Sequence, residues 1–142
     1  MIHTSCCAVT LSAALIFVGC TSPCGNTPLR EIASPDNQLK AVVFVRDCGA
    51  TTDFSTHVSV LKMHSPLPNE PGNIFVADTD HGAAPEGRGG APEVQAVWLA
   101  PRHIRVTYHP NARIFEANTD ISVQTGPSNS QVITVSYDSS GL

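Results

Sequence analysis

Ser55, His57 and Asp78 supply the residue types that acyl transfer needs: a hydroxyl to attack, an imidazole to take its proton and a carboxylate to orient the ring. Ser59, His81 and Asp80 duplicate those types nearby. A serine nucleophile usually stands on a strained turn of the GxSxG kind, and no such turn occurs in the chain. A cysteine nucleophile is no better founded, because Cys48 is the residue expected to pair with Cys24. No catalytic residue is therefore assigned. A small hydrolase stays as an alternative that requires Ser55, His57 and Asp78 to meet in space.

The run Asp78-Thr79-Asp80-His81-Gly82 sets two carboxylates and an imidazole within one turn, a composition able to attract a divalent cation. A calcium loop of the EF-hand type needs glycine at its sixth place and a bidentate glutamate at its twelfth, where this chain has Ala83 and Gly89. The simpler reading is a turn capped by solvated carboxylates, with no metal. Arg46-Asp47-Cys48-Gly49-Ala50-Thr51-Thr52 offers hydroxyls and backbone donors beside a guanidinium, suited to an anionic or sugar ligand. The same residues can also serve the fold, Asp47 capping the amide of Thr51 or Thr52 and Arg46 pairing with Asp47 or Asp53. Arg46, Asp47, Thr51 and Thr52 in one loop and Asp78, Asp80 and His81 in the other are thus the expected contact residues. His103 and His109 are expected at the surface.

Cysteine usage speaks to compartment. Residues 8–19 carry no charge and no proline and are too short, at about 12 residues, for the ~20 that cross a bilayer. An apolar run that ends in a small residue followed by Cys20 resembles the lipobox of bacterial lipoproteins, with Phe17 where a branched aliphatic residue is usual and no Lys or Arg upstream. Segment 1–19 is read as a lipoprotein signal, with a buried helix or an unlipidated signal as alternatives. Removing it takes Cys6 and Cys7 away and leaves Cys20, Cys24 and Cys48. Lipid on Cys20 makes the remaining pair even in an oxidising compartment, so Cys24 and Cys48 are expected to be bridged, with two free thiols as the alternative. Thr21 is not the aspartate that resembles an inner-membrane retention signal, which points to the outer membrane, facing the periplasm, in a Gram-negative host.

These side chains must be positioned by a single domain, since about 120 residues remain after the signal. The formal net charge is −4 with the basic residues scattered, so nothing marks a nucleic-acid surface, and no cofactor is expected. Residues 20–28 read as a tether, 29–138 as the β-domain and 139–142 as a tail. Eleven prolines and ten glycines punctuate segments rich in Val, Thr and Ser, the pattern of short strands joined by turns.

Ser34-Pro35-Asp36-Asn37 is the turn of a first hairpin, and Ala41-Val42-Val43-Phe44-Val45 reads as a strand buried on both faces. Phe54 to Met63 alternates Val58 and Val60 with His57 and Ser59, which predicts one wet face. The prolines at 66, 68 and 71 require a surface loop, residues 73–77 a short strand, and residues 78–92 a long glycine-rich loop. Residues 93–108 and 121–137 predict two further hairpins. Between them Asn111 to Phe115 forms a short strand or turn, with Ile114 and Phe115 packing inward. The fold class expected is all-β, a small antiparallel β-sandwich or twisted β-meander after an N-terminal signal helix.

Ser34-Pro35-Asp36, Lys40-Ala41-Val42-Val43-Phe44, Arg46-Asp47-Cys48-Gly49-Ala50-Thr51-Thr52 and Phe54-Ser55-Thr56 together resemble a group of small bacterial exported proteins and lipoproteins without an assigned activity. The resemblance continues through residues 73–78 and 81–84 and through Trp98 with Ile104 to Tyr108, and it implies architecture alone. The expectation is a lipid-anchored envelope protein, attached to the membrane through its lipid, that binds another envelope protein or polymer without catalysis. A small envelope hydrolase and a periplasmic ligand-binding module with the glycine-rich loop as lid are the alternatives.

Overall fold

The computed structural model of the chain describes residues 24–139 and 142. The signal segment 1–19, the lipidation candidate Cys20 and tether residues 20–23 lie outside the described residues.

Among the described residues nine strands follow one another: β1 (Gly25–Ala33), β2 (Leu39–Asp47), β3 (Ser55–Lys62), β4 (Phe75–Asp78), β5 (Val94–Ala100), β6 (His103–Tyr108), β7 (Arg113–Ala117), β8 (Asp120–Gln124) and β9 (Ser130–Asp138). They form two sheets, ordered β1-β2-β3-β4-β7 and β5-β6-β9-β8, packed face to face as a small all-β sandwich. Every pairing is antiparallel except β6 with β9. That parallel pair departs from the fully antiparallel sandwich the hairpins imply. The chain leaves the second sheet to make β7 in the first, and the β8-β9 hairpin then returns with β9 beside β6. The expected tether is also shorter, because β1 begins at Gly25 and pairs with β2 from that residue on.

Leu39, Ala41 and Val43 from β2, Val58 and Val60 from β3, and Phe75 and Ala77 from β4 meet Ile104, Val106, Ile133 and Val135 from the second sheet in one core. Phe75 anchors it, its ring 5.1 Å from Tyr108 and 5.8 Å from Tyr137. Tyr137 closes the sandwich with its hydroxyl on the carbonyls of Ile74 (2.6 Å) and Asn118 (2.8 Å), and burial holds the phenol above its ordinary pKa. Tyr137→Phe takes the hydroxyl from the Asn118 carbonyl and leaves the Ile74 carbonyl with the Asn118 amide alone, and should lower the unfolding free energy by about 1–2 kcal/mol in urea titrations.

The hairpin between β1 and β2 forms as its residues demand. Ser34 Oγ donates to Asp36 (2.7 Å) and accepts from the Leu39 amide (3.0 Å), while Asn37 takes a left-handed φ of 55°. All of β2 except Asp47 is buried, as an apolar run without alternation implies.

The face of β3 expected to be wet is covered. His57 is 3% exposed and Ser59 equally so, because the proline-containing segment 64–73 folds back over the outer side of the first sheet. The Gly72 amide donates to His57 Nδ1 (2.9 Å), the Asn73 amide to Ser59 Oγ (3.2 Å), and Asn73 exchanges two bonds with the backbone of Val60. Prolines that cannot join a ladder can still lie across one. Gly72 fits only without a side chain, since a Cβ there would stand 2.7 Å from the carbonyl oxygens of both Val58 and Phe75. Gly72→Ala should therefore cost roughly 2–3 kcal/mol, read as an earlier thermal unfolding midpoint.

Candidate functional site

Register sets one polar row across all five strands of the first sheet. Asn26 lies opposite Arg46, Arg46 opposite Ser55, Ser55 opposite Asp78, and Asp78 opposite Arg113. Residues in register share a face, so the row lies on the outer side of the sheet. Its two halves differ. Arg46 is buried, bonded to Asn26 (2.7 Å) and Asn69 (3.1 Å), and Asn69 in turn donates to the Cys24 carbonyl (2.9 Å). The expected pairing of Arg46 with Asp47 or Asp53 is replaced by these amides, because the covering segment brings Asn69 over it. Arg46 is thus held within the fold, beneath the covering segment, and does not line the open half of the row.

The other half opens into a cleft of about 390 Å³ lined by Thr51, Thr52, Asp53, Ser55, Asp78, His81, Arg113 and Phe115. Two loops far apart in sequence meet there, which brings Thr51, Thr52, Asp78 and His81, each expected as a contact residue, to one cleft. The first loop is fastened by the disulfide between Cys24 and Cys48, which ties the start of β1 to the end of β2. Asp47 then caps the Gly49 amide two residues on (2.8 Å), not that of Thr51 or Thr52, and Gly49 itself turns left-handed at φ 96°. Thr52 closes the turn onto the Gly49 carbonyl through its amide (3.2 Å) and hydroxyl (3.1 Å).

The second loop is held by Asp78, whose carboxylate accepts from the Asp80 amide (2.8 Å) and forms an ion pair with Arg113, Nε at 3.2 Å and Nη2 closer still. Asp80 and His81 adopt φ of 49° and 57°, conformations that side chains other than glycine take only when neighbouring bonds hold them. The turn presents His81 Nδ1 3.5 Å from Asp53 Oδ2, linking the loops. Arg113 reaches Asp80 at 3.7 Å and lies 5.0 Å above the Phe115 ring. The Asp78 hydrogen bond holds its guanidinium above the ordinary pKa.

Sequence reasoning missed Arg113 and Phe115, and it expected Ile114 and Phe115 to pack inward. Phe115 is 60% exposed and Ile114 is also at the surface. The pairing slips between Val76 and Ala77, so Phe115 is the extra residue of a bulge and has no partner across the ladder. The signal was present in Arg113-Ile114-Phe115, where a period of two places the aromatic ring with the charge.

Ser55 and His57 do meet, with Oγ 2.8 Å from Nε2. The direction of that bond decides its chemistry. The Gly72 amide donates to Nδ1, so the neutral ring carries its proton on Nε2 and donates it to Ser55. A base must accept from its nucleophile, which is the reverse. Burial, reinforced by the nearby Arg46 charge, lowers the His57 pKa to about 4. Asp78, the third member of that alternative, faces Arg113. The Ser55 hydroxyl proton is left free to donate into the cleft.

Among the described residues, no group of three His, Cys, Asp or Glu side chains is arranged to hold a metal ion, and no helix is long and apolar enough to cross a membrane. Comparisons with protein-family models, curated proteins and solved structures returned no match.

Proposed function

We propose that the protein is a lipid-anchored binding module of the cell envelope that holds another envelope protein or polymer in the cleft between the two loops and β7. The observation that carries this reading is the convergence of separate segments on one exposed aromatic ring, Phe115, framed by a bonded array of Asp53, Asp78, His81 and Arg113. A ring left in water beside pre-oriented charges is a contact surface in the manner of an interface hot spot. Asp53, Asp78 and Asp80 outnumber Arg113 there, so the surface favours a neutral or cationic partner over a polyanion.

Anchoring is supported by the cysteine count. Cys24 and Cys48 bond to each other, and lipid on Cys20, where the lipobox-like run ends, would account for the third cysteine after the signal. The resemblance to exported lipoproteins fits the same compartment, the outer membrane in a Gram-negative host. Intact mass of protein from native membranes should exceed that of the polypeptide beginning at Cys20 by a diacylglyceryl group and an acyl chain. An unmodified mass would remove the anchor.

The binding reading is tested with an envelope fraction and the purified domain. Phe115→Ala combined with Asp53→Ala should weaken retention by roughly tenfold, while stability stays within about 0.5 kcal/mol because both residues are exposed. Unchanged retention would discard the cleft. The hydrolase alternative rests on the 2.8 Å contact of Ser55 with His57 and needs the opposite proton placement.

A further inference from the structure

A second cavity, of about 180 Å³, opens between the two sheets where β1 and β2 approach β5, lined by Leu29, Arg30, Val43, Arg88, Pro92, Glu93 and Val94. Its floor is apolar, formed by buried Val43, Pro92 and Val94 with half-buried Leu29. Its rim carries two guanidiniums and one carboxylate. Among the described residues no ion pair joins Arg30 or Arg88 to a carboxylate.

Both arginines are placed there by backbone devices. β1 and β2 slip register between Pro28 and Arg30, so Arg30 pairs with Val43 and shares its inward face. Without the slip it would oppose Val42 on the outer face. Arg88 stands on the short 3-10 turn Arg88–Gly90, which is seated by close glycine packing. A Cβ on Gly89 would come 3.1 Å from Val45, and one on Gly90 3.1 Å from Phe54, and both glycines are left-handed. The Gly87 amide bonds to the Ala91 carbonyl (2.8 Å), and Glu86 bridges Pro92. The arginine is therefore carried on a fixed platform beside the apolar floor.

We propose that this gap binds a small aliphatic carboxylate, the alkyl chain entering between the sheets against Val43 and Val94 and the carboxylate resting between Arg30 and Arg88. Charge and shape agree on that occupant. A net positive rim selects an anion, guanidinium geometry suits a carboxylate, and the apolar floor rewards a hydrocarbon tail. The site is separate from the cleft proposed above and shares with it only the loop of residues 78–92, whose far end supplies Arg88 and Pro92.

Calorimetric titration of the domain with straight-chain carboxylates from butanoate to decanoate tests the proposal. Affinity should rise by about fourfold per added methylene until the cavity is full, then level off. Arg30→Gln and Arg88→Gln should each weaken octanoate by about fivefold, and Glu93→Gln should strengthen it by a few-fold. All three residues are exposed, so the variants keep the fold. Octylammonium should not bind, and 1-octanol should bind more weakly than octanoate. The proposal is overturned if octanol and octanoate bind alike, if no carboxylate binds at millimolar concentration, or if the double arginine variant binds unchanged. An Arg30→Gln protein that self-associates while octanoate binding stays intact would make Arg30 a guard of the β1 edge and not a ligand group.

Discussion

Reduction of the Cys24–Cys48 disulfide should lower the unfolding free energy by about 3.5 kcal/mol and the thermal midpoint by roughly 10–15 °C. The two cysteines are 24 residues apart, and closing that loop removes conformations from the unfolded chain. The folded state also depends on the bridge locally. Cys24 begins the described domain beside Asn26 and Asn69, which hold Arg46, and Cys48 starts the turn that carries Thr51 to Asp53 into the cleft. Cys24→Ser with Cys48→Ser should therefore show faster hydrogen exchange in residues 48–54 as well as lower stability. A double variant that unfolds at the wild-type urea midpoint would show that the covering segment alone secures this corner.

Acid should unfold the domain earlier than its carboxylates alone would require. His57 titrates near 4 in the fold, against 6.5 for an unperturbed histidine, chiefly because it is buried and secondarily because Arg46 is close. Between those values the unfolded chain binds a proton that the folded chain does not. Stability from this group is thus full above about pH 7, falls as pH drops through 6.5, and is lost by about pH 4, a total of about 3 kcal/mol. His57→Gln can accept from the Gly72 amide and donate to Ser55 without titrating, so it should remove most of that pH slope. It also forfeits the stacking of the ring on Phe44, 5.2 Å between centroids, and should be about 1 kcal/mol less stable at pH 7. Urea titrations at pH 7 and pH 4.5 decide the matter. Equal slopes for the two proteins would place the histidine in contact with water.

Much of the fold was legible because its signals are local. The Ser34 to Asn37 turn needs only its own residues, and the unbroken apolar run in β2 is what a strand covered on both faces requires. The disulfide followed from parity, once Cys6 and Cys7 are counted with the signal and Cys20 with the lipid. What covers β2 and β3 was not legible, because alternation reports that one face is more polar without saying what lies on it. His57 and Ser59 are polar and buried since the backbone of Gly72 and Asn73 supplies their partners from a segment whose prolines suggested only a surface loop. The cleft was half legible for a related reason. Its loops stand out in composition, yet Arg113 and Phe115 join them only through the pairing of β7 with β4 and a bulge, a long-range event that no window of sequence contains. Arg46 shows the converse, a distinctive charge whose role is to bind amides beneath a cover.

The most direct test of the cleft is photocrosslinking in the native host, with a photoreactive amino acid at position 115 in one strain and, as control, at position 97 on the outer face of the second sheet, where Val97 is also exposed. Position 115 should yield a discrete covalent adduct with an envelope component, lost when Asp53→Ala is added, and position 97 should yield none. Equal labelling from both positions, or none from 115, would contradict a binding surface at the meeting of the two loops.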